Sequence, residues 1–280
     1  MSAPLALTLD GGAVDPESAA LPPTERGFTY GDGLFETIPA PGGRAFEATR
    51  HFARLRASAK ALGLPVPPLD ALEAALAATL EAAGAAAGVA RVTWSRGRGD
   101  RGFAPGADSG PPRLVVAAYP PPEVPPAGQG VRALSVRGVT PGELARHKTL
   151  SAIHYVVAAQ RARAAGADEA LLVDPRGRVL ETAGANIFAV LGGRVLTPPA
   201  SLPLFAGIGR ERTRDALAAR HPGLLLEQAF DLAALGRAEE AFLASAVRGI
   251  VPLVAVDGRT IGAGVPGPMT TGLTLSPGSA

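Results

Sequence analysis

The 280-residue chain carries 27 basic side chains, of which only two are lysines, Lys60 and Lys148; the rest are arginine. Chemistry that needs an ε-amino group therefore has two candidates. A lysine shielded from water beside other cations becomes a usable nucleophile or base at neutral pH. Lys148 stands in Arg146-His-Lys-Thr-Leu150, next to two potential cations and directly ahead of a helical stretch. That placement suits Schiff-base formation with a carbonyl compound; taken alone, it equally suits a surface lysine before a helix. Lys60 lies one helical turn after Arg56, on the face away from Phe52, Leu55 and Leu62, and reads as a solvated charge.

Glu181 lies in Arg178-Val-Leu-Glu-Thr-Ala-Gly-Ala-Asn-Ile-Phe188, a carboxylate at a strand end followed by small residues. Such a group can hold the N–H of a flat heteroaromatic ring, or it is simply a turn carboxylate. Gly207-Ile-Gly-Arg-Glu-Arg-Thr213 sets two glycines at the start of a helix, where bare backbone N–H groups attract anions. Gly31-Asp-Gly-Leu-Phe-Glu-Thr37 joins tight-turn residues to a strand, and Gly97-Arg-Gly-Asp-Arg-Gly102 is a basic loop suited to an anionic substrate. The absence of cysteine excludes disulfides, thiolate metal sites and cysteine nucleophiles. The four histidines, His51, His147, His154 and His221, lack metal-ligand spacing, and Ser245 has no nucleophile elbow around it.

These residues need a scaffold, and the composition supplies one. With 47% hydrophobic and 19% charged residues, a buried core is available. The length fits one large or two modest domains, at roughly 100–200 residues per domain. A net charge of +2, with no basic block interleaved with aromatics, argues against nucleic-acid binding. The N-terminus lacks the basic and long apolar regions of a signal peptide. The most apolar stretch, Ala71 to Ala90, is interrupted by Glu73, Glu81, Gly84 and Gly88 and is too weak to span a membrane. A soluble cytoplasmic protein is expected.

Alternating Leu5, Leu7 and Leu9 predict a strand that turns at Asp10-Gly11-Gly12. Helical spacing predicts a helix over 49–62, stopped by Gly63, and an alanine-rich helix over 69–87. Strands are expected at 89–95 and 113–119, then at 131–136, 168–174, 179–181, 186–191, 194–196, 224–229, 241–244 and 251–256. Helices are expected over 151–165 and 209–221. Five prolines and two glycines in Tyr119 to Gly130 predict an extended linker. The expected division is a small N-terminal α/β domain over 1–119, a linker over 120–130, and a larger cofactor-binding domain over 131–280. Short strands mixed with a few helices indicate α+β or α/β architecture with a mixed sheet. The Gly/Pro/Ser/Thr-rich tail from Gly262 is expected to fray toward its end.

Singly these signals are weak, but their order is specific. Glu25-Arg-Gly-Phe-Thr-Tyr-Gly-Asp-Gly-Leu-Phe-Glu-Thr37, His51-Phe-Ala-Arg-Leu55, Lys148, Glu181 with Asn186-Ile-Phe188, Gly207-Ile-Gly-Arg210 and Ser245-Ala-Val-Arg-Gly-Ile-Val-Pro252 follow one another. This series resembles the class IV aminotransferases, the fold-type IV pyridoxal-phosphate enzymes, from about Leu5 to Gly262. The resemblance implies a two-domain, D-amino-acid-aminotransferase-like fold, a homodimer, and a cofactor between the domains near the dimer interface. It implies that Lys148 carries the cofactor and moves the proton at the substrate carbon, and that Glu181 pairs with the pyridine nitrogen. Arg54 then resembles the phosphate-binding arginine. The N–H groups of Ile208 and Gly209 resemble one wall of the phosphate cup, and Ser245 and Ala246 the other. Many relatives have threonine where this chain has Gly209.

The first and last of these motifs, together with Arg96-Gly-Arg-Gly-Asp-Arg-Gly-Phe-Ala-Pro105, look most like the 4-amino-4-deoxychorismate lyases. Phe35 stands where D-amino-acid aminotransferases tend to have tyrosine. The implied substrate is a dicarboxylated cyclohexadiene, with Arg96 as the preferred carboxylate partner and Arg98 and Arg101 as further candidates. The resemblance thus implies a folate-branch lyase that forms 4-aminobenzoate and pyruvate. The alternative is a class IV transaminase of branched-chain, D- or other amino acids.

Overall fold

The computed structural model describes residues 3–106, 109–126, 128–140 and 142–273. The chain forms two compact units. One contains the chain up to Pro122 together with His147–Ala152; the other contains Glu123–Arg146 and the chain from Ile153 onward.

In the first unit, β1 (Ala6–Leu9), β2 (Gly12–Val14), β3 (Gly33–Pro39), β4 (Val89–Ser95) and β5 (Arg113–Tyr119) form one antiparallel sheet. The strand order is β2-β1-β5-β4-β3, which leaves β3 at an edge. Asp10 and Gly11 both take positive φ, as the turn between two closely joined strands requires. A short helix, α1 (Arg26–Tyr30), precedes β3 and ends at Gly31 in the left-handed region. Local hydrophobic spacing gives no sign of so short a helix.

Two helices, α2 (Ala48–Ala61) and α3 (Leu69–Ala83), cover the sheet. Period-two alternation in β3 turns Leu34, Glu36 and Ile38 inward, where the two leucine-type side chains join Phe52 and Leu55 of α2 and Leu72, Leu76 and Leu80 of α3. Phe35 and Thr37 face the other way. The alanine-rich helix stops at Ala83, short of the expected 87. Gly84 takes φ +61°, and only a single 3-10 turn, Gly84–Ala86, follows.

The second unit contains β6 (Val131–Arg137), α4 (Ile153–Ala164), β7 (Glu169–Val173), β8 (Val179–Thr182), β9 (Asn186–Leu191) and β10 (Arg194–Thr197). It continues with α5 (Ile208–Arg220), β11 (Leu225–Glu227), α6 (Leu232–Leu235), β12 (Glu240–Ser245), β13 (Gly249–Val256), β14 (Arg259–Thr260) and α7 (Pro268–Gly272). The strands run β11-β10-β9-β12-β13-β6-β7-β8, with β6 parallel to both β13 and β7. A further pairing of Glu181 in β8 with Asn186 in β9 closes β9-β12-β13-β6-β7-β8 into a ring.

One apolar cluster takes residues from every strand of that ring, among them Val131, Leu171, Val179, Ile187, Leu243 and Leu253. The alternate residues face outward: Leu172 and Leu180 pack with Ala158 and Ala162 of α4, while Phe188 and Phe242 pack with Leu217 of α5. Closing the ring removes the exposed strand edges that an open sheet would present. Residues 120–126 and 128–130 form no helix or strand; the expected linker also includes Ala127, which lies outside the described residues. The expected fraying beyond Leu273 likewise lies outside them. Among the described residues, no helix is long and apolar enough to cross a membrane.

Phe188 and Phe242 are fully buried and stacked, with ring centroids 5.1 Å apart. Phe242→Ala is expected to lower the unfolding free energy by about 3–5 kcal/mol, read from a chemical-denaturation midpoint shift at unchanged slope.

Candidate active site

In the first unit, the segment His147–Ala152 lies along the open edge of β3. Phe35 N–H donates to Lys148 O at 2.8 Å, Leu150 N–H donates to Gly33 O at 2.9 Å, and Thr149 bridges Leu34. The segment is held to α2 by His147 Nδ1 and Ser58 Oγ, 3.1 Å apart. Lys148 therefore owes its position to backbone pairing with a strand more than a hundred residues away in sequence. Its Nζ lies 4.4 Å from the centroid of the Phe35 ring. The guanidinium carbon of Arg91 lies 3.9 Å from the same centroid. Arg91 pairs with Thr37 across β3 and β4, on the sheet face that carries Phe35. Burial pulls its pKa below the usual arginine value, against the opposing influence of Tyr119. Sequence reasoning missed Arg91; the alternation of Val89–Ser95, read in register with β3, is the signal that finds it.

On the inward face of β3, Glu36 is buried among apolar side chains, where a carboxylate needs partners. Arg54 supplies two bonds, Nε to Oε1 at 2.8 Å and Nη2 to Oε2 at 2.6 Å, and His51 Nδ1 lies 2.7 Å from Oε2. His51 and Arg54 are three residues apart on α2 and so share a face. Burial opposes ionisation of Glu36, but the hydrogen bonds and charges of His51 and Arg54 outweigh it and hold the pKa below the ordinary carboxylate range.

Arg96, expected to meet a substrate carboxylate, is tied within this unit instead. Its Nε donates to Asp32 Oδ2 at 2.7 Å and its Nη1 to Gly63 O at 2.9 Å. Arg26, almost fully buried, donates to the same Asp32 oxygen and to the carbonyls of Asp100, Gly102 and Phe103. Asp32 is pulled below its usual range: burial acts upward, and the bonds from Arg96 and Arg26 overcome it. Arg26, Asp32 and Arg96 thus fasten the base of the glycine-rich loop, while Arg98 and Arg101 remain exposed.

In the second unit, Glu181 sits at the pair that closes the strand ring and is nearly buried. Tyr155 Oη donates to its Oε1 at 2.9 Å, and Phe205 N–H and Asn186 Nδ2 donate to its Oε2 at 3.1 and 3.4 Å. Burial, the Glu181 charge and this hydrogen bond all push the Tyr155 phenol well above its usual pKa. Asn186 also donates to Phe205 O at 2.6 Å and accepts from Gly207 N–H at 3.2 Å. One amide thereby links Glu181 to the loop that starts α5. Tyr155 and Asn186 were not among the expected site residues; their roles depend on contacts across the ring.

The start of α5 fits an anionic group. Gly207 caps the helix without a side-chain hydrogen bond to the first turn. Gly209 packs so closely on the end of β12 that a Cβ there would stand 2.6 Å from Ser245 Cα and 2.7 Å from its N. A threonine side chain therefore has no room here. A turn follows in which Arg248 N–H donates to Ser245 Oγ at 3.0 Å, with Ala246 inside it. The structure thus brings Glu181, the Ile208–Gly209 helix start and the Ser245–Ala246 turn into the second unit. It brings Phe35, Arg54 and Lys148 into the first. Taken unit by unit, these groups fit the parts of a phosphorylated pyridine aldehyde: within the first unit, an amine and a guanidinium fixed on a carboxylate, and within the second, a hydrogen-bonded carboxylate and a glycine helix start.

Alanine normally stabilises a helix by about 1 kcal/mol over glycine, whereas overpacking against backbone costs about 1–3 kcal/mol. Gly209→Ala is expected to be net destabilising, seen as a lower denaturation midpoint. The lowered pKa of Glu36 means that its stabilising contribution is present above the ordinary glutamate pKa, about 4.3, and is lost as pH falls through the folded-state value. Melting temperature is expected to fall below about pH 4.5, and less steeply in Glu36→Gln.

The family model described as Amino-transferase class IV matches residues 33–256. The chain is 35% identical over 261 residues to a Methanocaldococcus jannaschii protein provisionally named a branched-chain-amino-acid aminotransferase, covering 90% of this chain and 88% of that one. It is 30% identical over 239 residues to the aminodeoxychorismate lyase of Vibrio harveyi, covering 83% and 86%. The crystal structure of 4-amino-4-deoxychorismate lyase from Pseudomonas aeruginosa matches with a TM-score of 0.80 and 30% identity over 95% of this chain and 96% of that one. Together with the ordered motifs and the donor set, these similarities make the chain a member of the class IV aminotransferase family of pyridoxal-phosphate-dependent enzymes.

Proposed function

We propose that this enzyme is a lyase that converts 4-amino-4-deoxychorismate into 4-aminobenzoate and pyruvate. The observation that carries a reading of this kind is the setting of Lys148, held by backbone on the edge of β3 with Arg91 against the same aromatic ring. A guanidinium against the aromatic ring that also meets the lysine amine suits a substrate that presents a carboxylate near its own amine. The lyase assignment is supported by likeness to lyases over nearly the whole of both chains and by Ser245-Ala-Val-Arg-Gly-Ile-Val-Pro252. A class IV transaminase is the second reading, favoured by the 35% identity to the Methanocaldococcus jannaschii protein.

When bound, pyridoxal phosphate supplies an aldehyde that condenses with amines and a protonated ring that accepts electrons. In this reading Lys148 anchors it and then removes the proton from the amine-bearing carbon of the substrate. Glu181, its plane set by Tyr155, Asn186 and the Phe205 N–H, holds the proton on the ring nitrogen. Arg54, the N–H groups of Ile208 and Gly209, and the Ser245–Ala246 turn bind the phosphate. Arg91 takes over from Arg96 as the side chain placed to orient a substrate carboxylate, since Arg96 is engaged by Asp32. Phe35 forms the wall behind the lysine. Arg98 remains a candidate contact for an anionic substrate on the exposed loop. We further read the protein as a cytoplasmic homodimer.

Purified protein supplied with the cofactor is expected to show a visible absorbance band that borohydride abolishes and that Lys148→Ala lacks. That variant is expected to lose at least about a hundredfold in kcat. Incubation with 4-amino-4-deoxychorismate, and no amino acceptor, should release 4-aminobenzoate and pyruvate in equal amounts. Keto-acid exchange with amino-acid donors, without 4-aminobenzoate release, would establish the transaminase instead.

A further inference from the structure

We infer that Glu36 is a positioning residue that gives the protein its preference for the phosphorylated form of its cofactor, acting through Arg54. The inference rests on the reading of Arg54 as a phosphate anchor. Glu36 itself lies on the inward face of β3 with no role in the chemistry proposed above.

The observation is a buried carboxylate placed where the alternation of β3 calls for an apolar side chain. Its neighbours on that face, Leu34 and Ile38, belong to the core. Such a group is expensive to bury, and it stabilises a fold only when its oxygens are fully engaged. Here two oxygens receive three donors, two of them from one guanidinium in parallel. A bidentate carboxylate removes the rotational freedom of the arginine and sets the plane of its fork. Arg54 keeps partial contact with the surface, its side chain being 18% exposed, whereas Glu36 is 1% exposed. The arginine is therefore held from behind by a group that water and ligand do not reach. Whichever of its donors meet an oxyanion, their direction is set by the carboxylate.

His51 completes the arrangement. A carboxylate only accepts, so Nδ1 carries the proton of that contact. Nε2 is buried with no hydrogen-bond partner among the described residues, so the contact with Glu36 is the one that directs the ring. The orientation of the His51 ring is thereby fixed, and with it the seat of Glu36.

Two effects of removing the charge on Glu36 compete. Loss of a negative charge close to a phosphate would tighten binding, while release of the arginine would weaken it. A half-buried guanidinium that loses its bidentate partner must reorient toward water or other acceptors, and an anion contact dependent on its geometry goes with it. The second effect is expected to prevail.

The test compares dissociation constants of pyridoxal 5'-phosphate and of pyridoxal, which lacks the phosphate, by equilibrium dialysis against the full-length protein. A residue that merely holds the fold together would weaken both; one that acts through the phosphate anchor moves only the first. In Arg54→Gln and in Glu36→Gln, the pyridoxal phosphate Kd is expected to rise about ten- to a hundredfold, the range of a charge-assisted hydrogen bond, with the pyridoxal Kd unchanged. Glu36→Asp, which keeps the charge and shortens the reach, should show the same change in smaller measure and decides the matter should Glu36→Gln not fold. Glu36→Gln added to Arg54→Gln should have no further effect. An unchanged or lower pyridoxal phosphate Kd in the Glu36 variants, parallel losses for both ligands, or additive losses in the double variant would overturn the inference. Should Arg54→Gln itself leave the ratio unchanged, the phosphate reading of Arg54 falls first.

Discussion

The backbone pairing of residues 147–150 with the free edge of β3 is the contact on which the candidate site depends. It uses main-chain donors and acceptors that an edge strand would otherwise leave unpaired. It brings a lysine from a distant part of the sequence to the Phe35 ring, against which Arg91 also lies. A lysine side chain has four flexible bonds; holding its backbone on a rigid strand confines the amine to a small volume. The same short segment is gripped by Ser58 through His147, so its position is defined from two sides.

Each unit also solves the problem of a buried carboxylate in its own way. Glu36 is met by long cationic or ring side chains from one helix, and its charge is largely cancelled in place. Glu181 is met by a phenol, an amide and a backbone N–H, none of which carries a formal charge. Asn186 ties the second arrangement to the glycine start of α5, so the carboxylate and the helix N-terminus share one loop.

Ring closure in the second unit explains why this carboxylate is so well held. Glu181 and Asn186 face each other at the seam, and the interior is filled by one apolar side chain after another from all six strands. A seam pair is constrained by both neighbouring strands, and small shifts there would disturb the whole ring. Tight packing has a second consequence at Gly209, where the helix start approaches Ser245 too closely for any side chain. This chain presents bare backbone at that point.

Much of this was legible in the residues themselves. The alternation that gives β1, the glycine stop after α2 at Gly63, and the scarcity of lysine all follow from local chemistry and period. The order of the motifs indicated the family, and Glu181 and the Gly207–Gly209 helix start were identifiable as candidates. Tertiary structure alone decided that Lys148 pairs with β3, that Arg91 lies against the Phe35 ring while Arg96 is tied to Asp32, and that Tyr155 and Asn186 hold Glu181. The reason is physical. Periodicity encodes which face of an element is apolar, but the partner of a strand edge is chosen by main-chain groups that every residue carries, and the partner of an arginine by whichever carboxylate the fold brings within reach.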